Sequence, residues 1–195
     1  MRLPWVSGVG VGGPAVDYSL NRDKSADMRL DLLVQAELNR YDWSRILEAD
    51  GPATSIPEVF RQLLAAESPE VAAACYWKLE NHVFVQNSLF EAARYLVPAI
   101  SAALAAPDRP KWVKIQLLEV LFHIVNGEPH KDEVARGMTD LGVQCRALAR
   151  EGLWTLYRIF QEGELSRAAK DIIEIIDHEG DRLLTLDQLN RKPAG

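Results

Sequence analysis

Between Ser68 and His178 the chain repeats one unit, a polar or proline-bearing turn followed by 12 to 20 residues whose apolar positions fall three and four apart. That spacing puts the apolar side chains on one stripe of a helix. Helices that start again after such short connections must turn back and pack on their neighbours, which is the signature of stacked antiparallel helix pairs. The expected fold class is therefore all-α, an α-solenoid in which each pair buries its apolar stripe against the next.

The start signals are explicit. Ser55-Ile56-Pro57-Glu58 has capping-box spacing ahead of Val59, Phe60, Leu63 and Leu64. Ser68-Pro69-Glu70 puts a good N-cap before proline at the first helical position, where its missing donor does no harm. Ser88-Leu89-Phe90-Glu91 reads as a second capping box, and Asp108-Arg109-Pro110 opens another helix. An earlier helix is predicted from Asp27 to Tyr41, with Met28, Leu32, Leu33 and Leu38 on one side, and Trp43, Ile46 and Leu47 continue the apolar theme.

Between these starts run the stripes Val71, Cys75, Leu79 and Val83; Leu89, Ala93, Leu96, Ile100 and Leu104; and Leu141, Cys145, Leu148, Leu156 and Ile159. Pro98 falls inside the second and predicts a kink, because it removes one helical hydrogen bond. No strand-like alternation with hairpin turns follows the N-terminal arm. The expected organisation is an irregular arm over 1–25, a helical-repeat domain over 26–178 and a C-terminal extension over 179–195.

A repeat emerges when Gly127 is laid on Gly163, a shift of 36 residues. Val113, Leu117, Val120, Leu121 and Ile124 then meet Ala149, Leu153, Leu156, Tyr157 and Phe160, apolar on apolar. The 127–139 segment, with Pro129, His130, Lys131, Asp132 and Glu133, reads as an exposed, mobile connection.

Charge narrows the function classes. The 195 residues carry a net charge of −6, and it is spread evenly: 7 Lys/Arg against 9 Asp/Glu over 1–66, 5 against 7 over 67–130, and 10 against 12 over 131–195. No basic stripe is present to follow a phosphate backbone, so nucleic-acid binding is not expected. No apolar run approaches the roughly 18 residues of a membrane span, and Met1-Arg2-Leu3-Pro4-Trp5 lacks a secretory h-region. A cytoplasmic protein is expected, with Cys75 and Cys145 as buried, reduced thiols.

Catalytic and cofactor motifs are weak. Gly8-Val9-Gly10-Val11-Gly12-Gly13 has dinucleotide-fingerprint spacing, but Pro14 follows and no helix opens there. Glu119 and His123 lie one turn apart, as an oriented base requires, yet no nucleophile accompanies them. His178-Glu179 lacks the second histidine of a zinc-protease motif, and His82 and His130 are far apart in the chain. The tryptophans Trp5, Trp43, Trp77, Trp112 and Trp154 sit mostly in helical stripes, which suits packing better than base stacking. Neither catalytic residue, cofactor nor metal site is expected.

One helix carries a more specific pattern. From Lys111 to Val125 nearly every position is apolar, which marks a helix packed on several sides, yet Gln116, Glu119, His123 and Asn126 are spaced 3, 4 and 3 apart and form one narrow polar ridge. Trp77 and Asn81 on the preceding helix, and Gln144, Glu151 and Arg158 on the later one, have spacing that extends it. The ridge is either a plain solvated face or one wall of a partner-binding groove.

The run Ser68-Pro69-Glu70-Val71-Ala72-Ala73-Ala74 leading to Trp77-Lys78-Leu79-Glu80-Asn81-His82, the stretch from Gln86 to Pro98, and Cys145-Arg146-Ala147-Leu148-Ala149-Arg150-Glu151-Gly152-Leu153 before Glu162-Gly163-Glu164 resemble bacterial HEAT-like repeat proteins. The resemblance covers roughly residues 56–178 and departs from a regular repeat at 127–139 and in the N-terminal arm. It implies a HEAT/armadillo-like solenoid. It also implies similarity to immunity proteins of polymorphic toxin systems, which bind a cognate toxin and block it. On that reading Trp77 anchors a protein partner, with a basic toxin domain as the implied candidate. Glu80, Glu119, Glu128 and Glu151 steer it, and Asn81, Gln116, His123 and Asn126 complete the contact surface. The alternatives are a scaffold or regulatory adaptor, or an enzyme of the HEAT-type DNA glycosylase or bilin lyase kind; the acidic balance speaks against the glycosylase.

Overall fold

The Ser68-Pro69 start forms as predicted: Ser68 is extended at φ −146° and its hydroxyl accepts the Val71 N–H at 3.4 Å. From it runs one of ten helices found among residues 32–191, the part of the chain that the computed structural model describes. The expected arm, its glycine run, Trp5 and Met28 lie outside those residues.

The helices are α1 (32–39), α2 (Ile56–Leu64), α3 (Pro69–Val83), α4 (Ala92–Ala105), α5 (Lys111–Asn126), α6 (Lys131–Ala135), α7 (Leu141–Arg150), α8 (Leu153–Glu162), α9 (Ser166–Ile176) and α10 (Asp181–Arg191). Two-residue strands join some of them. The strands β1 (Leu47–Glu48) and β2 (Gly51–Pro52) pair antiparallel, whereas β3 (Phe84–Val85), β4 (Ser88–Leu89) and β5 (Glu128–Pro129) form a small mixed sheet with β4 and β5 parallel. These strands correct the expectation that none follows the arm. At two residues each they are too short to show an alternating pattern.

Helix α5 is the centre of the core, as its composition predicts. Val113, Leu117, Leu118, Val120, Leu121, Ile124 and Val125 are all buried, and the helix packs on α3, α4, α7 and α9. Burying each such side chain is worth roughly 1.5–3 kcal/mol. The stripe through Ala93, Leu96, Ile100 and Leu104 is buried as expected, and α4 runs unbroken through Pro98. Cys75 and Cys145 are free and buried. Trp43 and Trp112 sit against the core and donate their indole N–H to the Leu38 and Ala66 carbonyls.

Other local expectations give way to tertiary contacts. Leu32, Leu33 and Val71 are exposed, while Val34, Ala72 and Tyr76 take the inward positions, because the neighbouring helix lies to a different side of each stripe. The hydroxyl of Ser55 makes no cap bond, since the residue is already helical at φ −80°, ψ −25°. Ser88 does not cap a helix either. Its segment closes a hairpin around Gln86 and Asn87, with Gln86 at φ 56°, and α4 starts later at Ala92. The carboxylate expected to cap that helix, Glu91, instead accepts the Leu47 N–H at 3.1 Å and pairs with Arg94.

The 127–139 connection is mostly exposed, as expected, but it is structured and packs on the body at two points. Strand β5 lies beside β4, and Glu133 of α6 is fully buried, accepting the Glu91 N–H at 3.1 Å and pairing with Arg136. The late stripe is not one helix: a turn at 151–152 separates α7 from α8. There Gly152 passes so close to α4 that a Cβ would come within 2.9 Å of Ser101 Oγ. The 36-residue shift thus superimposes the single helix α5 on two helices and the turn between them.

The C-terminal extension is part of the same core. Leu183 of α10 is buried, and just before the helix Asp177 accepts the Tyr157 hydroxyl at 2.7 Å and the Arg182 guanidinium at 2.8 Å. Burial would raise the Asp177 pKa, but the hydrogen bonds from Tyr157 and Arg182 outweigh it and hold the carboxyl below its ordinary value of 3.8. A lowered folded pKa stabilises the fold above the unfolded pKa, and that contribution disappears as the pH falls through the folded value. The stability advantage of the native chain over Asp177→Asn is therefore expected to be full at about pH 5 and to shrink steadily toward about pH 2, as read by urea unfolding at each pH.

Candidate interaction face

Helices α3, α5 and α9 lie side by side, with α5 in contact with both of the others. Each buries one stripe and turns another outward, so their outward residues form one continuous face. From α3 come Trp77 and Glu80, with the buried Tyr76 beneath them, from α5 come Glu119, Phe122 and His123, and from α9 come Ala168 and Asp171.

The α3–α5 half is an aromatic bed edged by carboxylates. His123 stacks on the buried Phe84 with ring centroids 5.2 Å apart and an interplanar angle of 15°, and it lies 6.5 Å from the Tyr76 ring. Its Nε2 is 3.5 Å from Glu119 Oε1. The Tyr76 phenol lies close enough to Glu80 and Glu119 to feel the charge of both carboxylates. Burial first, and these two carboxylates second, push its pKa well above the ordinary tyrosine value, so it stays protonated. Trp77 packs edge-on to Tyr76 at 5.3 Å yet leaves 58% of its surface exposed. On the other side of Glu119, a shallow cleft of about 240 Å³ is lined by Leu118, Glu119, Phe122, Ala168 and Asp171.

Among the described residues, Glu80, Glu119 and Asp171 make no ion pair with a lysine or arginine. No protein-family model, curated protein or solved structure matches this chain. The chemistry of the face therefore rests on its own residues.

The structure brings together part of the predicted ridge and disperses the rest. Trp77, Glu80, Glu119 and His123 meet in one place. Gln116 and Asn126 continue the ridge along α5, Gln116 half-buried and Asn126 exposed. Asn81 is exposed, with its amide donating to the Trp77 carbonyl at 2.8 Å. Glu128 stands beyond the end of α5 and pairs with Arg146 at 3.2 Å.

Gln144, Glu151 and Arg158 do not extend the ridge. Gln144 accepts from Arg94 of α4 at 2.9 Å, Arg158 donates to the Leu104 and Ala105 carbonyls at the end of α4, and exposed Glu151 is in the turn that brings Gly152 against Ser101. The helix that does extend the ridge is α9, and its Asp171 and Ala168 carry no signal of that role in the sequence. Tyr76 was equally hidden, because one residue of helical phase separates it from the predicted stripe.

The remaining candidates for chemistry are accounted for structurally. His82 Nδ1 lies 3.1 Å from Glu48, whose carboxyl is pushed upward chiefly by burial. His130 accepts the Asp132 N–H at the start of α6, and its ring lies over Phe90. Burial pushes the Cys145 thiol up to about 12, which leaves no thiolate to react near neutral pH. Among the described residues no group of three or more His, Cys, Asp or Glu side chains is arranged to hold a metal ion, and no helix is long and apolar enough to cross a membrane.

Proposed function

We propose that this chain is a protein-binding module of the HEAT/armadillo-like solenoid kind, and that it acts as an immunity protein, occluding a basic toxin domain with the α3–α5–α9 face. The helix adjacencies support the solenoid: α2 packs on α3, α4 on α5 and α8 on α9, while α3, α5 and α9 form one row and α4 packs across α7 and α8 in the other. The observation that carries the functional reading is exposed Trp77 beside Glu80, Glu119 and Asp171, three carboxylates that pair with no lysine or arginine among the described residues. A large aromatic supplies desolvated contact area, and uncompensated charge steers a partner of opposite sign.

The test is capture of the partner by the tagged chain from its native cell at moderate salt, followed by co-expression. The expected result is one stoichiometric basic protein that arrests growth when expressed alone and is neutralised by this chain. The variant Glu80→Lys/Glu119→Lys/Asp171→Lys is expected to weaken the complex by at least about 100-fold, since opposing charge across an interface is worth several kcal/mol. Unchanged binding by that variant rules out the face. A stoichiometric partner with no toxicity of its own rules out the immunity role and leaves a scaffold.

A further inference from the structure

The α5–α9 side of this face contains an open cleft. Its volume of about 240 Å³ is roughly eight times one water's share of the liquid, which is room for one long side chain. The buried Leu118 forms its base, and the half-buried Phe122 and Ala168 complete the apolar part of the lining. The polar part is one exposed acidic residue from each helix, Glu119 of α5 and Asp171 of α9. Neither makes an ion pair with a lysine or arginine among the described residues, although Arg167 stands one turn before Asp171 on α9. Ala168 has the smallest side chain of the five, so it leaves open the space that a longer side chain at that position would take.

We infer that the α5–α9 cleft receives one long cationic side chain of the protein partner, a lysine or an arginine. Its methylenes lie on Leu118, Phe122 and Ala168, and its charged head meets Glu119 and Asp171. This rests on the protein-binding reading of the face and specifies where on it the partner is anchored. The two halves of the lining select the occupant together. A purely apolar side chain covers the base but strips water from two carboxylates without pairing them. An anionic side chain is repelled by both. Lysine and arginine alone join an apolar stem to a positive head, and they habitually lay the stem on apolar surface while the head stays near water. The carboxylates are solvated, so charge by itself contributes little and the stem contact is needed as well. Ala168 is then the residue that sets specificity, because added bulk there closes the cleft without changing any charge.

The inference is tested on the whole chain by NMR titration at low salt with the N-acetyl amides of lysine, arginine, norleucine and glutamate, each up to about 50 mM. The lysine or arginine derivative is expected to give saturable shifts at the Ala168 methyl and the Phe122 ring, and the tighter of the two identifies the side chain. It is expected to bind at least about 3-fold more tightly than norleucine, which keeps a stem and lacks the charge, and glutamate is expected to give no saturable response. Salt at about 0.5 M is expected to remove the advantage over norleucine. Ala168→Leu, its amide spectrum otherwise unchanged, is expected to abolish the response, and Glu119→Gln/Asp171→Asn to reduce the cation to the level of norleucine. Equal binding of cation and norleucine, shifts centred elsewhere, or no saturable shift at these groups overturns the assignment. With the captured partner, Ala168→Leu is expected to weaken the complex by at least about 10-fold. If Ala168→Leu binds the partner normally while the triple lysine variant does not, only the cleft assignment fails. If the triple variant binds normally, the reading of the face fails with it.

Discussion

Replacing Phe84 with alanine is expected to lower the unfolding free energy by roughly 3–5 kcal/mol, the range for removing a fully buried aromatic ring from a packed core. Phe84 is completely buried at the end of α3, where the chain turns into β3, and its ring supports His123. The loss therefore has two parts, a cavity in the core and an unsupported His123 imidazole on the α5 side of the candidate face. Urea unfolding measures the first, and the shift of the His123 ring protons measures the second. Trp77→Ala is the matched control: its exposed side chain is expected to change stability by no more than about 0.5 kcal/mol while removing the proposed anchor for a protein partner. A Phe84→Ala loss below about 1 kcal/mol contradicts this packing.

The second large effect is expected at Glu133. Its carboxylate is fully buried, holds the Glu91 backbone N–H and pairs with Arg136, so it fastens α6 to the start of α4. Glu133→Ala leaves the buried Glu91 N–H without an acceptor, a cost of about 1–3 kcal/mol, while the partly exposed Arg136 guanidinium is rehydrated. Amide exchange separates this from a general loosening: the Glu91 N–H and the amides of α6 are expected to lose protection first, while those of α5 hold theirs. Glu133→Gln keeps an acceptor for Glu91 and is expected to lose less. Equal protection of α6 in native and Glu133→Ala chains excludes the fastening role.

The two glycines that the 36-residue shift aligned illustrate where reading the sequence stops. Gly163 ends α8 at φ +86° with open space around it, and it is there for its backbone conformation. Gly127 ends α5 at φ −85°, a value open to any residue, but a Cβ there would lie 2.6 Å from the Leu89 side chain. One glycine answers a local need and the other a contact 38 positions away in the chain. In the sequence they look alike. Ser68 and Ser88 form a similar pair, since both begin a serine-led start signal and only Ser68 caps a helix. The strand that claims Ser88 pairs with the neighbouring β3 and also with β5, which comes much later in the chain.

The sequence by itself determined the helical class, the central packing of α5, the Ser68 cap and the polar ridge through Gln116, Glu119, His123 and Asn126. All of these follow from interactions within one helix, between residues three or four apart, where period and residue type are sufficient. Only the tertiary structure decided that α9 rather than α7 or α8 lies beside that ridge, that Asp171 and Tyr76 join it, that Gln144 and Arg158 turn toward α4, and that Glu133 is buried. Those outcomes depend on which helix faces pack together. Packing is settled by shape and burial over the whole core, and a single helix's apolar stripe says that a face will be covered without saying by what.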